Sequence, residues 1–471
     1  MVVGEMPDGV DLLVVGGGPG GYVAALTAAQ LGRRVVLVDV AGPAGLGGVC
    51  VNVGCIPSKA LIELASTVHD RTSWAARGVP SPSTDIDMNA FQTWKGGVVT
   101  SLNSGVKSLL KAANVEIRTG YFRFTRPDQG VVERGDGPPT HIQFKSCILA
   151  TGSRPTYLDV LPHDGHRILD STDVLDLDHL PQSAAIIGGG YIGVELGTAL
   201  AKLGVAVSII ETAPTLLPTV DASVGNLVTK RLRALGVSVL TEATVTGDDG
   251  SMLHFTTTHG PDSLRVETVI VAVGRVPNTE DIGLDALRVT PNKSGLLDVG
   301  PDRLITRQVA AIGDITPGPA LAHKATAEAH VAAEVLSGHS SIFDPTTLST
   351  VIFSDPEVAT TGLSAAEATD RGYNVDTATF PLSASGRART LNDSIGMTQW
   401  IVDKSVGVVL GAQIVGAHAT ELIGEAALAI EMGSHLEDIA GTIHPHPTMS
   451  ESLPEAALVG LSRPIHIPQR Q

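Results

Sequence analysis

The chain has 471 residues, 43% of them hydrophobic, with 32 Lys and Arg against 49 Asp and Glu and a net charge of −17. A chain of this length needs on the order of three cores, and its acidic balance repels nucleic-acid backbones and anionic lipid surfaces. Met1 to Asp11 carries no cationic stretch leading into an apolar run and cleavage site, and no segment reads as a membrane span, so a large cytoplasmic enzyme without nucleic-acid partner or membrane insertion is expected.

The first predicted element is the apolar strand Leu12–Val15, which runs into Gly16-Gly17-Gly18-Pro19-Gly20-Gly21, an Ala-rich helix and a second strand, Val35–Val38, ending at Asp39. This is the grammar of a dinucleotide-binding βαβ unit. Gly16 makes the tight turn, Gly18 lets backbone approach a pyrophosphate, Gly21 lets helix meet sheet, and Asp39 accepts hydrogen bonds from a ribose. Alone, such a run is weak evidence in a chain with 52 glycines.

Next comes Gly47-Gly48-Val49-Cys50-Val51-Asn52-Val53-Gly54-Cys55-Ile56-Pro57-Ser58-Lys59. Thiols at this spacing can exchange electrons as a dithiol and a disulfide, provided the backbone bends. A disulfide needs Cα atoms roughly 4.4–6.8 Å apart, closer than a straight helix places these two positions. Gly54 allows the bend. Pro57 suits a first helical turn, so Cys55 is expected near a helix N-terminus, where the dipole favours thiolate. A structural disulfide, or two unrelated buried cysteines, are the alternatives. Cys147, the remaining cysteine, lies in the apolar run Cys147–Ala150 and reads as an inert core side chain.

The strand ending at Thr151-Gly152-Ser153-Arg154-Pro155 reads as an exit from this unit. The dinucleotide grammar then returns: Ala184–Ile187 leads into Gly188-Gly189-Gly190-Tyr191-Ile192-Gly193, and a later strand, Val207–Ile210, ends at Glu211. In both copies the acid follows the third glycine by 18 residues, and the copies are displaced by 172. Two full copies with matched acids make a strong signal. A carboxylate here accepts a ribose 2′-hydroxyl and repels a 2′-phosphate, and no Arg or Lys follows Glu211 until Lys230, so NAD rather than NADP is expected. A second exit follows at Gly274-Arg275-Val276-Pro277-Asn278.

From residue 346 the pattern changes, with strands near Val351–Phe353, Thr398–Val402 and Val408–Ile414. Leu422, Ala426, Ala429 and Ile430 form a helical stripe that serves either core or subunit contact. A dithiol must lose protons to react, so a base near neutral pKa is required, and His444 and His446 are the candidates.

The two glycine patterns, the cysteine segment and the C-terminal His444-Pro445-His446-Pro447-Thr448-Met449-Ser450-Glu451 together resemble the flavoprotein disulfide reductases over nearly the whole chain, and within them the branch that oxidises dihydrolipoamide with NAD. The resemblance implies an α/β fold with two Rossmann-like FAD/NAD-binding domains plus a C-terminal α+β dimerisation domain. It divides the chain into a first part of the FAD domain with the redox disulfide (1–156), an NAD domain (157–280), the rest of the FAD-binding or central domain (281–345) and a dimerisation domain (346–471).

FAD would lie with its isoalloxazine against Cys50 and Cys55, and NAD on the opposite flavin face. For FAD the resemblance implies Gly16, Gly18, Gly21, Asp39, Gly48 and Lys59, together with Tyr121, Thr151, Gly152, Ser153, Asp314 and Ala322. For NAD it implies Gly188, Gly190, Tyr191, Ile192 and Gly193, with Glu195, Glu211, Val245 and Gly274. Lys59 and Glu195 resemble an ion pair close to the flavin, and Tyr191 resembles the side chain that covers the flavin until nicotinamide displaces it. His446 of one subunit would complete the site built on Cys50 and Cys55 of the other, with Glu451 orienting the ring.

The implied partners are a second copy in a homodimer and a lipoylated acyltransferase, or lipoyl carrier protein, of a multienzyme complex. Glutathione- and mycothiol-type reductases are runners-up, but they use NADPH and call for arginines in place of Glu211. Mercuric and large thioredoxin reductases add a C-terminal redox pair, whereas no cysteine follows Cys147. The alternative from another class is a mainly structural subunit of a 2-oxoacid dehydrogenase complex.

Overall fold

The computed structural model describes residues 8–74, 77–79, 85–135 and 137–469; the start of the N-terminal stretch read above lies outside them. Leu12, Leu13 and Val14 are each 0% exposed, as a strand covered on both faces requires. They belong to β1 (Asp8–Val15), which pairs in parallel with β2 (Val35–Asp39) and with the strand Thr140–Leu149. Between β1 and β2 runs α1 (Pro19–Gln30), started by Pro19 at its first position. The sheet continues from β2 to Glu116–Thr119, and beyond Thr140–Leu149 to Val309–Ala311, so the chain leaves this layer and returns to it. Ala24, Ala25 and Ala28 of α1 meet Ala329, Ala332 and Ala333 of the helix Ala322–Leu336, small side chains that let two helices pack closely over one sheet face.

The second unit repeats the first in register. Val14 pairs with Leu37 and Val15 with Val38; 172 residues on, Ile186 pairs with Ile209 and Ile187 with Ile210. α5 (Tyr191–Lys202) takes the place of α1. The parallel strands run in the order Ser238–Leu240, Ala206–Ile210, Ser183–Ile187, Thr268–Val271 and Ile168–Leu169. A two-stranded antiparallel ribbon, Ser153–Pro155 with Arg275–Pro277, carries the chain out and back between the units.

The third unit is an antiparallel sheet in the order Thr350–Ile352, Val358–Gly362, Val409–Val415, Met397–Asp403 and Val375–Pro381. Three of these strands match the expected ones; Val358–Gly362 and Val375–Pro381 are further strands, the latter alternating so that Ala378 and Phe380 face the core. The helix Ala419–Glu431 turns Ile423, Ala426 and Ile430 into the core, with Leu422 and Ala429 packed beside them, while Leu428 and Met432 remain 63% and 73% exposed. The stripe therefore serves the core.

One sequence expectation is corrected. Gly48–Arg71 is long and apolar enough, by length and composition, to cross a membrane. It is not one uninterrupted helix, however, since α2 (Gly48–Val53) and α3 (Cys55–Trp74) break at Gly54, and its first turns line the cavity described next.

Candidate active site

Both glycine turns are built the same way. Gly16 and Gly188 adopt φ +103° and +106°, and a Cβ on either would stand 2.2 Å from the Ala150 carbonyl oxygen or 2.5 Å from that of Ala272. Only glycine fits there. Gly21 and Gly193 are equally excluded from carrying a side chain, by the carbonyls of Gly16 and Gly188. Gly18 and Gly190 differ: they cap their helices at φ −67° and −71°, and a Cβ at Gly190 would meet nothing within 4 Å. The fold does not need glycine at these two positions, so the open space at the helix N-termini fits a phosphate group.

The two acids act on the turns. Asp39 Oδ2 accepts from the Gly17 N–H at 2.8 Å and Oδ1 from the Ala41 N–H at 2.9 Å. Glu211 repeats this, Oε2 accepting from Gly189 at 2.5 Å and Oε1 from Ala213 at 2.7 Å. Each carboxylate thus ties its strand end to the second residue of the glycine turn while retaining lone pairs for a ribose.

A cavity of about 500 Å³ opens beside the first turn, lined by Gly16, Gly18, Asp39 and Gly48, by Cys50, Cys55 and Lys59, by Thr151, Gly152 and Ser153, and by Asp314 and Ala322. From the second unit Tyr191, Ile192 and Glu195 reach the same cavity, so α5 forms one of its walls. The glycine turn, its acid and a cavity lined in part by two cysteines fit a flavin dinucleotide.

The cysteines sit where the backbone changes direction. Cys50 is in α2, Gly54 ends that helix, and Cys55 opens α3. Gly48 holds the segment against the glycine turn: at φ +58°, a Cβ there would come within 2.6 Å of Gly18 Cα. Asn52 Nδ2 donates to the Leu46 and Gly48 carbonyls at 3.0 and 2.9 Å, fixing the bend. Cys50 and Cys55 are free thiols joined by a hydrogen bond. That bond, helped by the Lys59 ammonium and the amide at the helix start, lowers Cys55 to about 7 against the opposing effect of burial, while the same bond and burial push Cys50 up. Cys147 is 0% exposed, and burial raises its thiol well above the usual range.

Lys59 Nζ lies 2.8 Å from Glu195 Oε2, joining the first unit to the second at the cavity wall. Asp314 Oδ2 accepts from Ser153 Oγ at 2.5 Å, and Arg275 donates from Nε to Ser153 Oγ at 2.7 Å and from Nη2 to the Ser153 carbonyl at 2.6 Å. Behind Asp314, fully buried Glu328 accepts from the Gly313 N–H at 2.6 Å and from Arg303 Nη1 at 2.9 Å, while Lys324 donates to the Gly313 carbonyl at 2.9 Å. A buried ion network of this kind specifies a single turn geometry.

Two residues carried over by resemblance stand apart. Tyr121 is 61% exposed and lies outside the cavity, because the strand alternates and Phe122 and Phe124 are the residues that face inward. Val245 is a core side chain beside Leu253 and Phe255. Gly188, Gly190, Gly193, Glu211 and Gly274 gather instead along the second turn, outside the cavity lining.

The two C-terminal histidines separate clearly. His444 is anchored, its ring 6% exposed, with Nε2 2.7 Å from Glu425 Oε1 and Nδ1 3.0 Å from the Thr442 carbonyl. His446 is 80% exposed; Nδ1 meets Glu451 Oε1 at 2.8 Å, which leaves Nε2 presented outward. Burial opposes it, yet the Thr448 N–H and the His446 ring hold the Glu451 carboxyl below its ordinary value. Neither His446 nor Glu451 lines this cavity of its own chain.

Arg275 and Asn278 line the cavity as well, although the sequence pattern marks them only as part of an exit. Their signal was the glycine, basic residue and proline shared by both exits, visible only as a turn until the ribbon brought the exits together.

Comparison with known proteins follows the same outline. The family model described as pyridine nucleotide-disulphide oxidoreductase matches residues 10–329, and the dimerisation domain of that family matches residues 348–457. The chain is 44% identical to a dihydrolipoyl dehydrogenase of Geobacillus stearothermophilus and 41% identical to one of Halobacterium salinarum, in each case over 99% of both chains. Among solved structures, it is similar to LpdA of Mycobacterium tuberculosis, with TM-score 0.88 and 25% identity over 95% of this chain and 99% of that one. The HOCl-induced flavoprotein disulfide reductase RclA of Escherichia coli gives TM-score 0.84 and 26% identity over 96% of this chain and 99% of the other.

Proposed function

The chain belongs to the pyridine nucleotide-disulphide oxidoreductase family, and on that premise we propose that it oxidises dihydrolipoamide to lipoamide and reduces NAD⁺ to NADH, with FAD as its prosthetic group. The observation that carries this reading is the convergence on one cavity of Cys50 and Cys55, the first glycine turn and, through Lys59 and Glu195, the second unit. FAD, when bound, supplies a two-electron carrier between sulfur and nicotinamide.

The chain's own residues handle sulfur and protons. Starting from the Cys50–Cys55 disulfide, a lipoyl thiolate attacks Cys50 Sγ, forming a mixed disulfide and releasing Cys55 as thiolate. The Lys59 ammonium and the amide at the helix start, which favour thiolate at Cys55, make it a good leaving group. The second lipoyl thiolate then attacks the sulfur bound to Cys50; the lipoyl ring closes, and both cysteines are left reduced. In this reading His446, offered by a second copy, takes the first lipoyl thiol proton on Nε2 while Glu451 holds the opposite nitrogen, and the second lipoyl thiol proton goes to the departing Cys50 sulfur.

Gly16, Gly18, Asp39 and Asp314 support FAD binding, and Gly188, Gly190 and Glu211 support NAD binding with discrimination against a 2′-phosphate. Glutathione- and mycothiol-type reduction with NADPH is disfavoured by the buried carboxylate of Glu211. The chain carries its family's dimerisation domain; we place it as a cytoplasmic homodimer serving a lipoylated acyltransferase or lipoyl carrier protein.

The test is steady-state turnover of the purified, flavin-loaded protein with dihydrolipoamide and with glutathione, each paired with both pyridine nucleotides. Rapid NADH formation from dihydrolipoamide and NAD⁺ is expected. Faster turnover with the glutathione and NADP pair would overturn the assignment.

A further inference from the structure

Glu195 is 5% exposed on α5, and its two carboxylate oxygens are divided between the other two units. Oε2 accepts from Lys59 Nζ of α3 at 2.8 Å, and Oε1 accepts from the Phe353 backbone N–H at 2.9 Å. Phe353 follows the edge strand Thr350–Ile352 of the third unit, and Lys59 Nζ lies over its ring, 4.5 Å from the centroid. The ammonium is therefore held from two directions, by a buried carboxylate and by the negative face of an aromatic ring. Without the second, a lysine stem this long has other rotamers available, reaching solvent or lying fully against the carboxylate.

We propose that Phe353 is a positioning residue for the redox pair: its ring and its backbone N–H, both supplied by the third unit, hold Lys59 and Glu195 so that the lysine charge falls on Cys55. This rests on the assignment of Cys50 and Cys55 as the redox pair. The groups facing Cys55 are the Cys50 thiol, the Lys59 ammonium, the Glu195 carboxylate and the Tyr191 phenol. Among these charged side chains Lys59 favours thiolate at Cys55 and Glu195 opposes it. A lysine that drifts from the ring therefore removes the helpful charge and leaves the adverse one. An aliphatic side chain of similar bulk fills the space but offers the ammonium no negative face. The backbone half of the clamp survives such a change, so side-chain variants read the ring alone.

The experiment titrates Cys55 by its ultraviolet thiolate absorbance in flavin-loaded Cys50→Ser protein, where buried Cys147 stays silent. Phe353→Leu and Phe353→Met are each expected to raise the midpoint by about half a pH unit, roughly threefold less thiolate at a fixed pH, and Phe353→Tyr to restore it. Lys59→Gln raises the midpoint too, and adding Phe353→Met to it moves nothing further. Two ring-less variants are used so that one reports if the other fails to fold. An unchanged midpoint in either, at the parent's melting temperature, overturns the proposal, as does a shift that persists once Lys59 is Gln. Absence of dihydrolipoamide oxidation in the protein that retains Cys50, with the midpoint shift intact, would instead strike the redox assignment and leave the clamp standing.

Discussion

Glu211 shows how one side chain serves both fold and selectivity. Its carboxylate holds the Gly189 and Ala213 N–H groups at 2.5 and 2.7 Å while presenting negative charge at the strand end. Sequence spacing predicts the charge but not the two backbone bonds, because they depend on how tightly the turn closes on the strand. The consequence is a separable prediction. Glu211→Gln keeps an acceptor for the turn but loses the charge, and should narrow the preference for NAD over NADP by about tenfold in kcat/KM, which corresponds to about 1.4 kcal/mol. Glu211→Arg should narrow it further and also lower the melting temperature, since a hydrogen bond between a charged group and a buried amide contributes about 1.5–3 kcal/mol. Equal selectivity in all three proteins would show that the acid is purely structural. At the sulfur pair, Cys50→Ser should abolish dihydrolipoamide oxidation while NADH still bleaches the flavin absorbance, because only the step from substrate to disulfide needs Cys50. In the reduced wild-type protein, with Cys55 lowered to about 7, alkylation of Cys55 should fall about tenfold per unit as pH drops below that value. A rate that already falls below about pH 8.5, the value of an ordinary thiol, would refute thiolate stabilisation.

The strand-turn-helix elements were legible because their glycines obey local rules. Gly16 needs a positive φ and Gly21 has a carbonyl where a side chain would be, requirements that any chain making this turn must meet. Gly18 and Gly190 are glycines for another reason, since neither conformation nor packing demands it. Gly190→Ala should therefore leave the melting temperature within about a degree of the parent, a surface-type change below about 0.5 kcal/mol, yet raise KM for NAD about tenfold by blocking backbone approach to the pyrophosphate. Gly16→Ala should fail to fold. If Gly190→Ala bound NAD normally, the second turn would not be a nucleotide site. Carrying individual contacts over by likeness was less secure. Tyr121 lies on a strand whose alternation turns it to solvent, and Val245 on one that turns it into the core; both facts need strand register, which a single sequence leaves open.

At the scale of the molecule, the three units meet around charged side chains: Lys59 with Glu195 and Phe353, and Asp355 with Lys202 and Arg231 at 2.9 Å each. His446 is 80% exposed and does not line its own chain's cavity, which suits a residue that works in the site of a second copy. Mixing subunits tests this. Co-expressed Cys50→Ser and His446→Ala chains, each inactive alone, should regain about a quarter of wild-type turnover under random pairing in a twofold dimer, since half the dimers would hold one intact site. No recovery in mixed dimers verified by mass would place His446 in its own subunit's chemistry. Both dinucleotide turns, their acids and the bend between the cysteines were legible in the residues alone, because each is a constraint between residues close along the chain. Folding in three dimensions was needed to show that Arg275 braces Ser153, that Phe353 closes on Lys59, that His444 is an anchor while His446 is presented, and which side chains on each strand face solvent. Those outcomes depend on which side chains the fold brings together, more than a hundred residues apart for Arg275 with Ser153 and for Phe353 with Lys59, where packing and charge pairing, rather than local propensity, choose the neighbour.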